Sequence, residues 1–192
     1  MFDLILQTFN ASVIAVSQLF LSTVMTANPW FDSLDLNYQG AKRVIICNTK
    51  LADSFTETLD DVLLSGQNIT LHFRFELFAS GEAKPLQQKE IVNGFRYDQE
   101  AEIYFLVNSE DKKLEKFFTI EAAKDAYISV SNLSVVNTSD LSADQDYFVR
   151  VTAFLDPIKL DDMSESVNLM LRWASVKPTI VSEKFRIQPT ST

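Results

Sequence analysis

One histidine, one cysteine and a few paired carboxylates are all that this sequence offers to acid–base, nucleophilic or metal chemistry. A serine or cysteine nucleophile needs an activating base beside it, and no Gly-x-Ser-x-Gly elbow surrounds any serine. His72 stands between Leu71 and Phe73, with Arg74 and Glu76 following at every second position. That setting reads as a solvated histidine on the polar face of a strand and not as a general base. Cys47 lies in the apolar run Val44-Ile45-Ile46-Cys47 and reads as a small core residue. A lone cysteine forms neither an internal disulfide nor a multi-cysteine metal site. The pairs Asp60-Asp61 and Asp161-Asp162 lack the spacing of a calcium loop, and neighbouring carboxylates on a helix point apart. With only 4 glycines and no Gly-x-Gly-x-x-Gly, nothing is built to cradle phosphate. The expectation is therefore a protein that is not an enzyme, with no catalytic residue, no metal ligand and no cofactor.

The elements that hold these residues are mostly strands. Ile69, Leu71, Phe73, Phe75 and Leu77 alternate with Thr70, His72, Arg74 and Glu76, the period of two that marks a half-buried strand. Tyr147, Val149, Val151, Ala153 and Leu155 alternate with Phe148, Arg150, Thr152 and Phe154 until Asp156-Pro157 stops the ladder, and both faces of that strand look partly buried. Further strands are expected at Leu34–Tyr38, Lys42–Thr49, Glu90–Tyr97, Glu102–Val107, Leu114–Phe118, Leu133–Asn137 and Thr179–Ile187. Helices are expected over Ala52–Ser65, with Phe55, Leu59, Val62 and Leu63 on one face and Gly66 ending it, and from Ile120 to about Val130 behind Thr119 as cap. A last helix of about ten residues should start at Ser164 with Val167, Met170, Leu171 and Ala174 inward. The fold class is α+β and mainly β: an antiparallel sheet or β-sandwich of about seven strands with three short helices, preceded by an apolar N-terminal helix.

Composition narrows the partners. With 26 acidic against 17 basic residues in 192, the net charge of −9 repels phosphates, so nucleic acid is not expected as a partner. A content of 46% hydrophobic residues with 15 Phe is that of a chain that folds. From Met1 to Phe31 the only charged side chain is Asp3, and Ala11 to Ala27 is uninterrupted uncharged sequence. That stretch lies between a signal-peptide core and a full span in length, and the small residues at Thr26-Ala27 ahead of Asn28-Pro29 offer a cleavage site. The first basic residue is Lys42, so the usual positive start is missing, and a buried helix of a cytoplasmic protein is the alternative. The expected organisation is a signal peptide or membrane anchor over 1–30 and a single β-rich domain over 31–192. Its expected address is periplasmic or extracytoplasmic, with the N-terminal segment holding it to the inner membrane.

The order of elements resembles a bacterial family of exported proteins, domain of unknown function 4390. The resemblance runs from about Leu34 to Phe185. It is carried by Leu63-Leu64-Ser65-Gly66 leading into the strand with Arg74-Phe75-Glu76-Leu77, then by Val149-Arg150-Val151-Thr152-Ala153-Phe154-Leu155-Asp156 and by Leu171-Arg172-Trp173. Where such proteins often carry a basic, Trp-rich stretch, this chain has Gly81-Glu82-Ala83-Lys84-Pro85. The resemblance implies export and this order of elements, and it brings no catalytic residues.

Two functions follow as expectations. The first is a non-catalytic interaction module that binds an envelope protein through a sheet edge or polar face, with His72, Arg74, Glu76, Arg172 and Trp173 as the candidate surface, although Trp173 reads more readily as core packing. The second is a carrier of a lipid or other apolar molecule, which requires a continuous cavity lined by residues such as Phe73, Phe75, Phe105 and Phe154.

Overall fold

A computed structural model describes residues 26–159 and 166–187. The N-terminal helix expected over 1–30 lies, up to residue 25, outside the described residues. Ala27 is already buried in the core, and its amide donates to the Arg172 carbonyl at 2.8 Å.

Eleven strands and two α-helices are present among the described residues. β1 (Trp30–Gln39) and β2 (Val44–Ala52) form a hairpin closed by a 3-10 turn at Gly40–Lys42 with Arg43 in the left-handed region (φ 51). β7 (Ser129–Asn137) pairs with β2 to complete a three-stranded antiparallel sheet. A six-stranded antiparallel sheet holds β3 (Ile69–Ala79), β4 (Gln87–Asp98), β5 (Ile103–Asn108), β6 (Leu114–Phe117), β8 (Tyr147–Leu155) and β11 (Thr179–Val181), in the order β11-β8-β3-β4-β5-β6. β9 (Ile158–Lys159) and β10 (Ser166–Val167) make a two-stranded ladder.

The two larger sheets share one core. Phe31 of β1 meets Phe73 of β3 with ring centroids 6.3 Å apart, and Ile69, Leu71, Phe73, Phe75 and Leu77 all point inward from β3. Both helices pack against this inner side. α1 (Glu57–Leu64) buries Leu59, Val62 and Leu63, and α2 (Ile120–Tyr127) buries Ala123 and Tyr127, with the Tyr127 ring 5.0 Å from that of Phe95. Each helix has a threonine cap: Thr56 Oγ1 accepts from Leu59 N at 3.2 Å and Thr119 Oγ1 from Ala122 N at 3.4 Å, an arrangement generally worth about 1 kcal/mol.

Three sequence expectations change. The first helix starts at Glu57 and not Ala52, because β2 runs on through Ala52 opposite Trp30 and the chain turns at Asp53 (φ 48) before the Thr56 cap. The second ends at Tyr127, because Ser129 and Val130 are claimed by β7 opposite Lys50 and Thr49. The third α-helix is absent among the described residues: Ser166–Val167 pairs as β10, and Leu169–Trp173 is a 3-10 turn that Asn168 opens and Ala174 (φ 49) closes. The three-residue period of that turn buries Leu169, Met170, Arg172 and Trp173 and leaves Leu171 55% exposed. The final strand is also shorter than Thr179–Ile187. Beyond Val181 the chain follows β8 through Ser182, whose Oγ accepts from Val149 N at 3.0 Å, and through one bridge between Phe185 and Tyr147.

Trp173 is the largest fully buried side chain, and its Nε1 donates to the Ser54 carbonyl at 2.8 Å. Trp173→Ala is expected to cost about 3–5 kcal/mol, measured as a lower denaturant midpoint. Burial, followed by the nearby Asp35 charge, pushes the Cys47 thiol up to about 12, and Cys47 has no exposed surface. The native protein should therefore leave a thiol reagent unreacted at mildly alkaline pH, and denaturant should release one equivalent; fast native reaction would contradict the fold around β2.

Candidate functional site

The outer face of the six-stranded sheet gathers the charged half of β3. Strand alternation points Thr70, His72, Arg74 and Glu76 away from the core, and the antiparallel register sets chosen residues beside them. Arg74 lies between Glu90 of β4 and Thr152 of β8, Glu76 lies opposite Arg150, and His72 lies opposite Phe154. Both helices occupy the other face, so this one is left to solvent or a partner.

The side chains lock together. His72 Nδ1 is 2.9 Å from Glu90 Oε1, and Arg74 places Nε and Nη2 each 3.1 Å from Glu90 Oε2. The other ring nitrogen of His72, Nε2, lies 2.9 Å from Asp156 Oδ2 but off the direction of a hydrogen bond. The imidazole stacks on Phe154 with centroids 4.6 Å apart and planes 8° from parallel. The Arg74 guanidinium at 5.1 Å and the Lys177 ammonium at 4.9 Å also face the Phe154 ring, and such contacts are worth about 0.5–1 kcal/mol each at exposed sites. Further along, Arg150 holds Glu76 Oε2 through Nε and Nη2, both at 3.0 Å, and sits 4.5 Å over the Phe78 ring, which stacks on Phe148.

His72 is therefore not the solvated residue that its position implies: its side chain is only 13% exposed. The reason is cross-strand. Glu90, Phe154 and Asp156 come from 18 or more positions away and close around the ring, which local alternation does not reveal. Both imidazole nitrogens face carboxylates, neither faces a hydroxyl or thiol, and Cys47 is buried on β2. No group of three or more His, Cys, Asp or Glu side chains suited to a metal ion occurs among the described residues.

The same outer face continues into an apolar groove of about 710 Å³ over β4, β5 and β6, with Val92, Gly94, Arg96, Phe105, Val107 and Leu114 among its lining. Arg172 and Trp173, the other two candidate surface residues, are not part of this face. They are 2% and 1% exposed, held inward by the 3-10 turn, and burial pushes the Arg172 guanidinium below its usual value. The four phenylalanines of the carrier reading do not share a cavity either. Phe73 and Phe75 fill the core, while Phe105 and Phe154 lie on the outer face. Glu90, Arg150, Asp156 and the groove were missed from sequence, and Phe154 was expected in an interior cavity; the available signal was Phe148 and Phe154 standing at outward positions of β8.

The sequence matches the family described as domain of unknown function (DUF4390) over residues 31–168, and the chain belongs to that family. The match stops short of Phe185, where the resemblance was expected to end. No curated protein and no solved structure matches the chain.

Burial pushes the Glu90 carboxyl up, but the hydrogen bonds from His72 and Arg74 outweigh it and leave the carboxyl below its ordinary range. A depressed folded-state value means that Glu90 stabilises the fold above its unfolded value of about 4.3 and that this contribution fades as pH falls through the folded value. Glu90→Gln should thus lower the denaturant midpoint at neutral pH, with the gap from the parent protein closing in acid. A gap that stays constant down to pH values below the carboxylate range would show that the His72–Glu90–Arg74 cluster adds no charge-dependent stability.

Proposed function

We propose that this member of a family without assigned activity is a non-catalytic interaction module of the bacterial cell envelope, and that it binds a protein partner through the outer face of its six-stranded sheet. The observation that carries this reading is the prearranged outer face. His72, Arg74 and Glu76 are pinned by Glu90, Arg150 and Phe154 before any partner arrives, so little side-chain freedom is left to lose on binding. Alternating charges and aromatic rings in a fixed pattern also suit recognition by electrostatic complementarity.

Among the described residues, the packing of the core favours a module over a carrier. The enclosed void beside Leu59, Ile69, Leu71 and Trp173 measures about 10 Å³, whereas sites for small apolar ligands usually run to several hundred Å³. Location outside the cytoplasm rests on the uncharged stretch Ala11 to Ala27 and on the resemblance to exported proteins. Among the described residues no helix is long and apolar enough to cross a membrane, and the uncharged stretch Ala11 to Ala27 is the segment we propose as the tether.

Photo-crosslinking in the producing cells tests the reading. A benzoylphenylalanine placed at Arg74 or Thr152 should give a discrete protein adduct, and the same group at exposed Glu57 on α1 should not. Native mass spectra of the protein extracted in mild detergent complete the test: a stoichiometric apolar small molecule in place of a protein would turn the assignment to the carrier.

A further inference from the structure

The groove beside the charged ladder differs from it in one respect: its positive charges are answered only by one long contact, from Arg96 to Asp98. On the ladder every charged side chain of β3 has an opposite charge within about 3 Å. In the groove no acidic residue is among the lining, although the chain as a whole carries a net charge of −9. Register makes the groove two rows deep across the strands. In the first, Thr70, Gly94, Val107 and Leu114 follow one another across β3, β4, β5 and β6. In the second, Arg96, Phe105 and Lys116 do the same across β4, β5 and β6.

Each row has a distinct chemistry. Gly94 leaves a hole in the first row between apolar Val92, Val107 and Leu114, and Val107 and Leu114 are exposed. In the second row the Arg96 guanidinium is 5.9 Å and the Lys116 ammonium 5.7 Å from the centre of the Phe105 ring, so two cations flank one aromatic floor. Arg96 has only a long contact to Asp98, at 3.9 Å, and Lys116 has no carboxylate within 4 Å among the described residues. Adjacent rows on one face are two residues apart, about 6.8 Å, which is also the spacing of residues i and i+2 in an extended peptide.

We propose that this groove docks an extended segment of a partner protein that carries an apolar side chain and, two residues along, a carboxylate. The apolar side chain fills the hole over Gly94, and the carboxylate meets Arg96 and Lys116 above Phe105. The inference rests on the interaction-module reading and names the chemistry of the partner at a second part of the same face. The groove is open along its length, so it suits a peptide that keeps one side in water better than a fatty acid that must be mostly buried.

Gly94 makes the site testable without breaking the fold. A Cβ added there would meet Asn68 Oδ1 at 3.5 Å and the Val107 carbonyl at 3.9 Å, both ordinary contacts, and valine suits a strand. Gly94→Val should therefore fold and fill the hole. The probes are two blocked peptides, Thr-Thr-Leu-Thr-Asp-Thr-Thr and its counterpart with Lys for Asp, titrated into the isotope-labelled full chain and followed by amide shifts. The acidic peptide is expected to move the amides of Gly94, Val107 and Lys116 and to bind on the order of tenfold more tightly than the basic one. Arg96→Glu with Lys116→Glu should reverse that preference, and Gly94→Val should abolish binding with the rest of the spectrum retained. Equal response to both peptides, no shift at Gly94 at millimolar peptide, a self-association that Gly94→Val removes, or binding to anionic vesicles that Gly94→Val leaves unchanged would each overturn the proposal. If the peptides fail while crosslinks from Arg74 persist, the groove assignment falls and the module reading stands. If both fail, the module reading falls with it.

Discussion

Nearly everything in this fold depends on β3 having one dry face and one wet face. Ile69, Leu71, Phe73, Phe75 and Leu77 present a continuous apolar edge to the core, and burying five such side chains is worth roughly 1.5–3 kcal/mol each before entropy is charged. The pleat then gives His72, Arg74 and Glu76 no choice but to point the other way. Because β3 lies between β4 and β8, each of those polar side chains has neighbours on both sides, and these supply the countercharges. The core and the charged outer face are thus two consequences of one alternation, and a slip of one residue would exchange them.

The edges of the sandwich are managed by side chains as well as by backbone. Gln87 at the start of β4 donates through Nε2 to the Asn137 carbonyl at 2.8 Å and accepts from Asn137 N at 3.0 Å, imitating a strand against the end of β7. Lys89 Nζ adds a bond to the Ser134 carbonyl at 2.9 Å. These contacts occupy part of the β7 edge that would otherwise invite another chain. β6, at the far end of the large sheet, is only four residues long and carries Glu115 and Lys116. A two-fold pairing of β6 with itself would set glutamate against glutamate or lysine against lysine, which disfavours sheet-to-sheet dimers there.

Much of this was legible in the sequence, and the failures have physical causes. The period-two runs in β3 and β8 located the two central strands, because strict alternation has only one structural meaning. The apolar face ending at Gly66 located the first helix and the Thr119 cap the second, though Ala52 and Val130 were misplaced because strand pairing outcompeted helix propensity at each junction. The segment around Met170 misled because Val167, Met170, Leu171 and Ala174 fit a helical face, while the chain there takes the tighter 3-10 turn. The candidate surface was half legible for the same reason. Residues on β3 share a face by alternation, whereas Glu90, Phe154 and Asp156 reach His72 only through tertiary pairing, and the inward turn of Arg172 and Trp173 has no local signature.

The pairings also set an order in time. β3 finds β4 a few residues later, and β5 and β6 follow as local hairpins, so that meander can form as soon as it is made. Other pairings close much later: β2 waits for β7, β3 waits for β8, and the bond from Ala27 N to the Arg172 carbonyl waits for both ends. Non-local closure of this kind is slow. A chain emerging from its N-terminus is therefore unfinished for most of its length, with β3 lacking the neighbour β8 and β2 lacking the neighbour β7 until those strands follow.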